Sequence, residues 1–159
     1  MSETLRPIAN FNFQVVFTLD GADEPLCAAS FSEVDGLEMT VEPKTVQEGG
    51  NNVAQIHLAG PVTYGQLTLK RGMTESFDLW DWFDRVVQGE TGLRATGQVL
   101  YLGSTPARPD GEDRPRAGFL LSRCLPVKLK APTLNATESG VAIEEMQVVY
   151  ERMRRLAAA

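Results

Sequence analysis

Residues that could support catalysis or metal binding are few in this chain. His57 is its single histidine, which excludes a metal site built on two histidines. A Ser–His–Asp arrangement is formally possible, but no serine lies in a sequence that would activate it. Asp81 and Asp84 could be interpreted as a metal pair, yet Asp81 precedes Arg85 by four residues, which favours a surface ion pair. We therefore predict a protein that is not an enzyme, with no metal or cofactor and with His57 as a solvated strand residue.

Motifs for nucleotide, redox and metalloprotease chemistry are also absent from the sequence. Gly49 and Gly50 lack the strand-to-helix context that a phosphate-binding loop needs. Cys27 and Cys124 are far apart in sequence, and we expect two reduced, half-buried thiols rather than a disulfide.

Length and charge bound the class of protein. The 159 residues fit one domain, spanning 1–159, that can bury a core. The net charge of −6 argues against a nucleic-acid-binding surface, which is usually basic. The N-terminal residues show no signal-peptide pattern, so we expect synthesis in the cytoplasm. No apolar run approaches the roughly 20 residues of a membrane span, and we predict no membrane insertion by this chain.

The stretch 67–89 organises the rest of the sequence. It starts with an alternating strand, turns at Gly72 and continues as a helix, for which we predict Thr74 as N-cap and Gly89 as the end. The apolar positions cover an arc of roughly 220°, much wider than the stripe of an ordinary surface helix. They are Phe77, Leu79, Trp80, Trp82, Phe83, Val86 and Val87. We therefore expect a sheet on one side of this helix and a second subunit on the other.

Elsewhere, apolar and polar residues alternate with period two, and turn signals recur about every ten residues. The alternation predicts a mainly β fold: an antiparallel β-sandwich or barrel of about eight strands with one flanking α-helix. Residues 141–150 fit either a helix or a strand. The other predicted strands are 10–19, 26–34, 37–46, 53–58, 93–102, 119–123 and 126–130, with a turn at Gly60-Pro61.

Two further segments are predicted to lie outside the core. Residues 103–118 are rich in proline, glycine and charge, which indicates a flexible loop. Residues 154–159, in the basic C-terminal tail, are expected to be disordered.

Each of two predicted hairpins carries a polar row opposite an apolar row. The residues leave two interpretations open. The polar rows are either the solvent face of a sandwich or the wet inner wall of a ring in which neighbouring subunits join sheet edges. The rows consist of Glu38, Thr40, Glu42, Gln55 and His57 on one hairpin and of Arg94, Thr96 and Gln98 on the other.

Five strings of residues, taken in order, resemble the inner-tube protein family of contractile tails. This family comprises phage tail tube proteins and the inner tubes of extracellular contractile injection systems. The strings are FSEVDGL (31–37), EGGNN (48–52), LTLKRG with LWDWF (67–83), PVKLKAPTLNA (126–136) and VAIEEMQVVYE (141–151). No single string is specific, but together they span nearly the whole chain. The loop 103–118 departs from the resemblance, because it is longer than the hairpin turn expected there.

The resemblance implies a sandwich flanked by one helix, with residues 141–150 as a strand. It also implies a structural subunit that forms homo-hexameric rings, which stack into a tube inside a contractile sheath. Contraction would drive the tube through a target envelope, and cargo, either effector protein or DNA, would pass through a β-barrel lumen. The implied partners are a sheath protein and baseplate or spike proteins, and the implied location is a phage tail or tail-like particle.

On that interpretation both polar rows face the lumen. Alternatives are a monomeric β-sandwich that binds a carbohydrate or peptide, and a hydrolase that uses His57. Candidate inter-subunit or inter-ring contacts are Phe77, Trp80, Glu48, Gly49, Gly50, Asn51, Asn52, the turn Asp20–Asp23, and Arg152 and Arg154 in the tail.

Overall fold

Ten strands and one helix make up the part of the chain that the structure describes. This computed structural model describes residues 13–29, 31–47, 49–50, 53–102 and 117–157. The elements are β1 Phe13–Leu19, β2 Cys27–Ala29, β3 Glu33–Asp35, β4 Met39–Val46, β5 Ile56–Tyr64, β6 Leu67–Gly72, α1 Asp78–Val87, β7 Ala95–Tyr101, β8 Ala117–Lys130, β9 Ile143–Val149 and β10 Arg152–Leu156.

Eight of the strands form one antiparallel path that folds into two layers. Its order is β2-β1-β7-β8-β9-β6-β3, with β10 also paired to β8. The bend lies at Arg123, which has φ 55° in the middle of β8. Before the bend β8 pairs with β7 and β10, and after it with β9. We name the first layer sheet A (β2, β1, β7, β10 and the start of β8) and the second sheet B (the end of β8, β9, β6 and β3). The predicted mainly β sandwich with one helix is confirmed.

The core lies between the two sheets and is closed by α1. Leu67 and Leu69 of β6 point into it, while Thr68 and Lys70 are partly exposed, as the alternation predicted. From the helix, Leu79 and Trp82 are buried, and the Trp82 ring lies 5.1 Å from that of Phe17 in β1. Burial of these large apolar side chains is the main stabilising contribution to the sandwich. Other core members are Val15, Cys27, Phe31, Ala95, Val99, Leu121, Cys124, Met146, Val148 and Tyr150.

Three strand boundaries differ from the sequence prediction. The single strand expected at 26–34 is two short strands, because buried Phe31 carries the chain from one sheet to the other. Gly60-Pro61 is not a turn but forms a bulge within β5 opposite Glu42, where a side chain at Gly60 would overlap the Glu42 carbonyl oxygen. The strands expected at 119–123 and 126–130 are one continuous strand, β8.

The helix start and the tail also differ from expectation. The helix begins at Asp78 rather than at Thr74, and its N-cap residue, Phe77, makes no side-chain capping bond. Its end is as predicted, since Gly89 has φ 114°. Residues 154–156, expected to be disordered, belong to β10, because the backbone pairs with β8. Of the loop 103–118, the last two residues begin β8 and the remainder lies outside the described residues.

The close packing at Gly36, between β3 and β4, can be tested by adding a side chain at this position. Its φ is +95°, and an added Cβ would overlap the Gln66 carbonyl oxygen. Gly21 has a similar φ of +87° but nothing within 4 Å of an added Cβ. Gly21→Ala should therefore cost only the left-handed backbone strain, about 1 kcal/mol, whereas Gly36→Ala should cost about 3 kcal/mol in the free energy of unfolding. Urea denaturation of both variants measures the difference, and equal losses would contradict the predicted overlap.

Candidate assembly surfaces

The hairpin formed by β4 and β5 projects from the sandwich without covering. It forms its own two-stranded sheet and pairs with neither layer in the described residues. All of β4 is exposed, as is most of β5. The exposed side chains include apolar ones: Met39 is 59% exposed and Val62 is 48% exposed. A two-stranded hairpin alone is at best marginally stable in water, and contiguous exposed apolar side chains mark interaction surfaces. We therefore interpret this hairpin as an assembly element.

Strand register separates the two faces of the hairpin near its base. Met39 pairs with Tyr64, Val41 with Val62, and Thr40 with Thr63. Because side chains alternate across a strand, the base has an apolar face and a polar face. The apolar face consists of Met39, Val41, Val62 and Tyr64, and the polar face of Thr40, Glu42 and Thr63.

Tyr150 fixes the base of the hairpin to the sandwich. Its hydroxyl lies 2.7 Å from the Gly36 carbonyl oxygen, to which it donates, and accepts a hydrogen bond from the Glu38 backbone N–H. The Gly65 N–H donates to the Glu38 carbonyl oxygen, which closes the base. The Tyr150 ring also packs 5.6 Å from that of Tyr64. Burial raises the pKa of Tyr150, so the hydroxyl stays protonated and able to donate. The hairpin is thus held at a defined position.

A buried ion-pair cluster holds the start of the helix against sheet B. The Arg71 Nε lies 2.5 Å from Glu144 Oε1, and Arg71 Nη2 lies 2.5 Å from Asp78 Oδ1. The Trp80 Nε1–H donates to the other Glu144 oxygen at 2.9 Å. The guanidinium also lies over the Phe31 ring. Strands β6 and β9 and helix α1 therefore meet at one arginine.

The charges in this cluster are mutually stabilised. Burial disfavours the charged form of Asp78, but hydrogen bonds from Arg71 and from the Leu79 N–H hold the pKa of Asp78 below its ordinary value of 3.8. Burial, reinforced by Asp78, raises the pKa of the neighbouring Cys27 thiol to about 12, so this cysteine is unreactive. Burial likewise raises the pKa of Cys124 to about 12. Both cysteines are free, as predicted, although they are buried rather than half-buried.

Beside the helix start lies an open apolar groove of about 310 Å³. Phe77 is 71% exposed at its rim, and Trp80 is half-buried in its wall. Thus only one side of the wide apolar arc is covered within the monomer: Leu79 and Trp82 are buried, whereas Phe77 and Val87 are exposed. The groove is lined by Met73, Thr74, Ser76, Phe77, Trp80 and Ala131.

The outer face of sheet A is a second surface that no other described element covers, and it mixes polar and basic side chains with apolar ones. Thr96 and Gln98 of β7 alternate with the buried Ala95 and Val99, so they point outward. No carboxylate lies on this face within the described strands, although the whole chain has a net charge of −6. By register the face consists of Gln14, Val16, Thr18, Ala28, Thr96, Gln98, Leu100, Gly118, Leu120, Ser122, Arg152, Arg154 and Leu156.

The structure divides the polar rows that the sequence suggested. Thr40 and Glu42 share one face of the hairpin, but His57 pairs with Thr45 on the opposite face, because the bulge in β5 reverses the side to which its residues point. Gln55 lies just before β5. His57 is exposed, as predicted, with its Nδ1 3.5 Å from the Thr45 hydroxyl.

The remaining predicted site residues are distributed as follows. Glu38 precedes β4 and has an exposed side chain, while Arg94 precedes β7 and donates to the Thr91 and Leu93 carbonyl oxygens. Gly49 and Gly50 form an exposed turn, whereas Glu48, Asn51 and Asn52 lie outside the described residues. Arg152 and Arg154 are exposed on β10. The expected Asp81–Arg85 ion pair is not formed, because Arg85 pairs with Glu90 at 2.8 Å.

Sequence reasoning missed the three residues that position these surfaces. Arg71 and Glu144 occupy inward positions of β6 and β9, where the alternation leads one to expect apolar residues. A charged residue at such a position was the sequence signal that could have identified them. Tyr150 carried no comparable signal, because its partners are backbone atoms about 112 residues away.

The described part of the chain contains neither a metal-binding cluster nor a helix that could span a membrane. Residues 13–29, 31–47, 49–50, 53–102 and 117–157 contain no group of three or more His, Cys, Asp or Glu side chains that could hold a metal ion. No helix in those ranges has the length and hydrophobicity to cross a bilayer.

A β-sandwich with one flanking helix and a projecting two-stranded hairpin is the architecture that the comparisons can be made with. Residues 9–154 match the family described as T4-like virus tail tube protein gp19. The chain belongs to this family and is a tail tube protein. A comparison with curated protein sequences gives no match.

Solved structures share the fold over almost the whole chain. A chain of the anti-feeding prophage (AFP) baseplate, solved by cryo-EM with 6-fold symmetry, is 29% identical with a TM-score of 0.82, covering 97% of this chain and 98% of that one. A chain of the sheath-tube complex of the extracellular contractile injection system PVC is 20% identical with a TM-score of 0.77, covering 97% and 94%. A type six secretion system protein is 14% identical with a TM-score of 0.52, covering 91% and 83%. Because the PVC chain and the type six secretion system protein are less than 25% identical to this chain, their similarity shows a shared fold only.

Asp78 should give the stability of the fold a measurable pH dependence. Its folded-state pKa is lowered, so its contribution is fully present above the ordinary value of 3.8 and is lost as the pH falls through the folded-state pKa. Asp78→Asn should lower the free energy of unfolding by about 2 kcal/mol at pH 7, and the difference from wild type should shrink as the pH falls below the ordinary value of 3.8.

Urea unfolding at pH 7 and at a series of pH values below 3.8 measures the effect. Asp81→Asn is the matched control, because Asp81 is an exposed carboxylate in the same helical turn. A difference between wild type and Asp78→Asn that stays constant with pH would contradict a charge-based role.

Proposed function

We propose that this protein is the structural subunit of the inner tube of a contractile injection system or contractile phage tail. It assembles as homo-hexameric rings that stack into a tube, inside a sheath whose contraction drives the tube through a target envelope. The uncovered hairpin carries this proposal. Its exposed apolar residues, Met39, Val41 and Val62, have no covering within the described chain and require a neighbouring molecule.

The comparisons support this proposal through the assemblies in which similar chains occur. The AFP baseplate was solved with six-fold symmetry, and the PVC chain comes from a sheath-tube complex. Each of the two matches covers 97% of this chain. Sheath and baseplate proteins are therefore the proposed partners, and a phage tail or tail-like particle is the proposed location.

The proposed lumen wall consists of two surfaces that carry polar side chains. These are the polar face of the hairpin base, with Thr40 and Glu42, and the outer face of sheet A, with Thr96 and Gln98. The hydrated polar side chains of this wall would favour passage of effector protein or DNA without adhesion. Because His57 lies on the other face of the hairpin, we do not include it in this wall.

Two further surfaces are proposed as inter-subunit or inter-ring contacts. The groove beside Phe77 and Trp80 is apolar and open, so a neighbouring subunit could bury it. The exposed turn at Gly49 and Gly50 lies at the tip of the hairpin, farthest from its anchored base. The protein performs no chemistry in this proposal; its function is assembly.

Electron microscopy of the purified protein tests the proposal directly. Wild-type protein should form six-fold rings or stacked tubes, and a protein that stays monomeric at high concentration and is absent from sheathed particles would overturn it. Val62→Glu places a charge on the apolar face of the hairpin base and should abolish assembly without affecting the fold, since Val62 is already 48% exposed. Its neighbour Thr63 points to the polar face, so Thr63→Glu is the matched control and should assemble.

Thiol labelling tests the lumen assignment separately. In Glu42→Cys tubes, a bulky maleimide should react slowly, because the lumen restricts its access. A cysteine at exposed Glu138 provides the reference rate, and labelling of disassembled protein provides the unrestricted rate for both positions. The buried thiols Cys27 and Cys124 should not interfere. Equal rates at the two positions on intact tubes would place Glu42 outside a narrow channel.

A further inference from the structure

Sheet A ends in two strands whose outer edges are unpaired in the described residues. These strands are β2 and β10, at opposite ends of the order β2-β1-β7-β8-β10. An unpaired edge presents backbone N–H and C=O groups that favour pairing with another strand. Because the two edges belong to one chain and differ from each other, their association would be head-to-tail, the arrangement that closes into a ring.

The two edges carry opposite charges. Strand β10 contains Arg152, Arg154 and Arg155, all exposed. The turn that leads into β2 contains Asp20, Asp23 and Glu24, also exposed. Within the described residues none of these six side chains forms an ion pair. Nearby Glu151 pairs with Arg123 at 2.8 Å and so does not neutralise β10.

Strand register places both charged groups at the same end of sheet A. Arg152 pairs with Ser122 of β8, Cys124 of β8 pairs with Ala95 of β7, and Ala95 pairs with Leu19 of β1. Asp20 follows Leu19 directly, so the acidic turn and the start of β10 are nearly level along the strand direction. Four antiparallel steps separate β2 from β10, and the two strands therefore run in the same direction.

We propose that β10 of one subunit docks beside β2 of the next, where Arg152 and Arg154 contact the acidic turn with Asp23 and Glu24. The inference rests on the proposed ring assembly and assigns its lateral interface. Rotation about a ring axis keeps strand direction, so the docked strands run parallel and the start of β10 meets the turn that precedes β2. Each interface then joins opposite charges, which favours the correct head-to-tail orientation over like-charged edge pairing.

A second copy of the chain is the occupant that the charges favour for the basic edge. A nucleic acid would also be attracted to arginines, but it would leave the acidic turn and the edge of β2 unexplained. The chain as a whole is acidic, at −6, which opposes nucleic-acid binding at physiological salt. A second copy of the chain would pair the edge of β10 with the edge of β2, and the arginines with the acidic turn, in a single interface.

Charge reversal in two complementary variants tests the interface. The first variant is Arg152→Glu with Arg154→Glu, and the second is Asp23→Arg with Glu24→Arg. Each places like charges at every interface and should weaken each contact about tenfold, which corresponds to about 1.4 kcal/mol per interface, so that ring formation is largely lost. An equimolar mixture of the two should form rings again, because alternating subunits restore opposite charges at all six contacts of an even-numbered ring.

Negative-stain microscopy and size-exclusion chromatography measure the rings, and circular dichroism verifies that each variant is folded. Lys128→Glu with Lys130→Glu is the matched control, since it makes the same charge change on exposed residues of sheet B and should assemble normally. If a reversal variant is unfolded, Arg152→Gln with Arg154→Gln replaces it, with ring formation expected to fall severalfold and to lose its salt dependence.

The outcomes separate this inference from the proposed function. If wild-type protein forms rings and both reversal variants do so equally well, the charged lateral interface is wrong while ring assembly stands. Failure of the mixture to recover rings from two folded variants also overturns it. If wild-type protein itself forms no rings, the proposed function fails. Equal loss of rings in the Lys128 and Lys130 control would attribute the effect to net charge alone.

Discussion

The buried guanidinium of Arg71 is the interaction on which the arrangement of the surfaces depends. Moving an arginine and two carboxylates out of water costs several kcal/mol for each ion, so the cluster stabilises the fold only because its hydrogen bonds are nearly complete. Glu144 takes one side of the guanidinium and Asp78 the other, while Trp80 donates to the remaining oxygen of Glu144. Because these hydrogen bonds are directional, they form in only one position of the helix relative to β6 and β9. Apolar packing alone would determine that position less tightly.

The helix position in turn decides which aromatic side chains are left outside. With Asp78 fixed at the first turn, Leu79 and Trp82 enter the core, and Phe77 remains exposed beside the groove. An apolar arc wider than one face can cover is unfavourable for an isolated domain, yet it suits a subunit that gains a second contact on assembly. On the proposed assembly, the arc would reflect two successive burials, one on folding and one on association.

The sequence contained most of the fold but only part of the surfaces. Alternation is local, so the inward positions of Leu67 and Leu69 and the end of the helix at Gly89 could be predicted from neighbouring residues. The division of the hairpin into faces could not, because one extra residue near Gly60 reverses the side to which His57 points. The tail was also misjudged: its composition indicates disorder, and only pairing with the distant strand β8 orders it.

A tail tube subunit must avoid irreversible aggregation before it assembles, and its uncovered surfaces differ in ways that address this constraint. The apolar hairpin projects at one position, the groove lies beside the helix start, and the two edges of sheet A differ in charge. Because β10 carries several arginines, like charges repel one another when two β10 edges meet, so pairing between these identical edges is disfavoured. Head-to-tail contacts between unlike surfaces remain, and such contacts can both close into a ring and continue from one ring to the next. The same differences between the surfaces would thus define the direction in which the proposed tube grows.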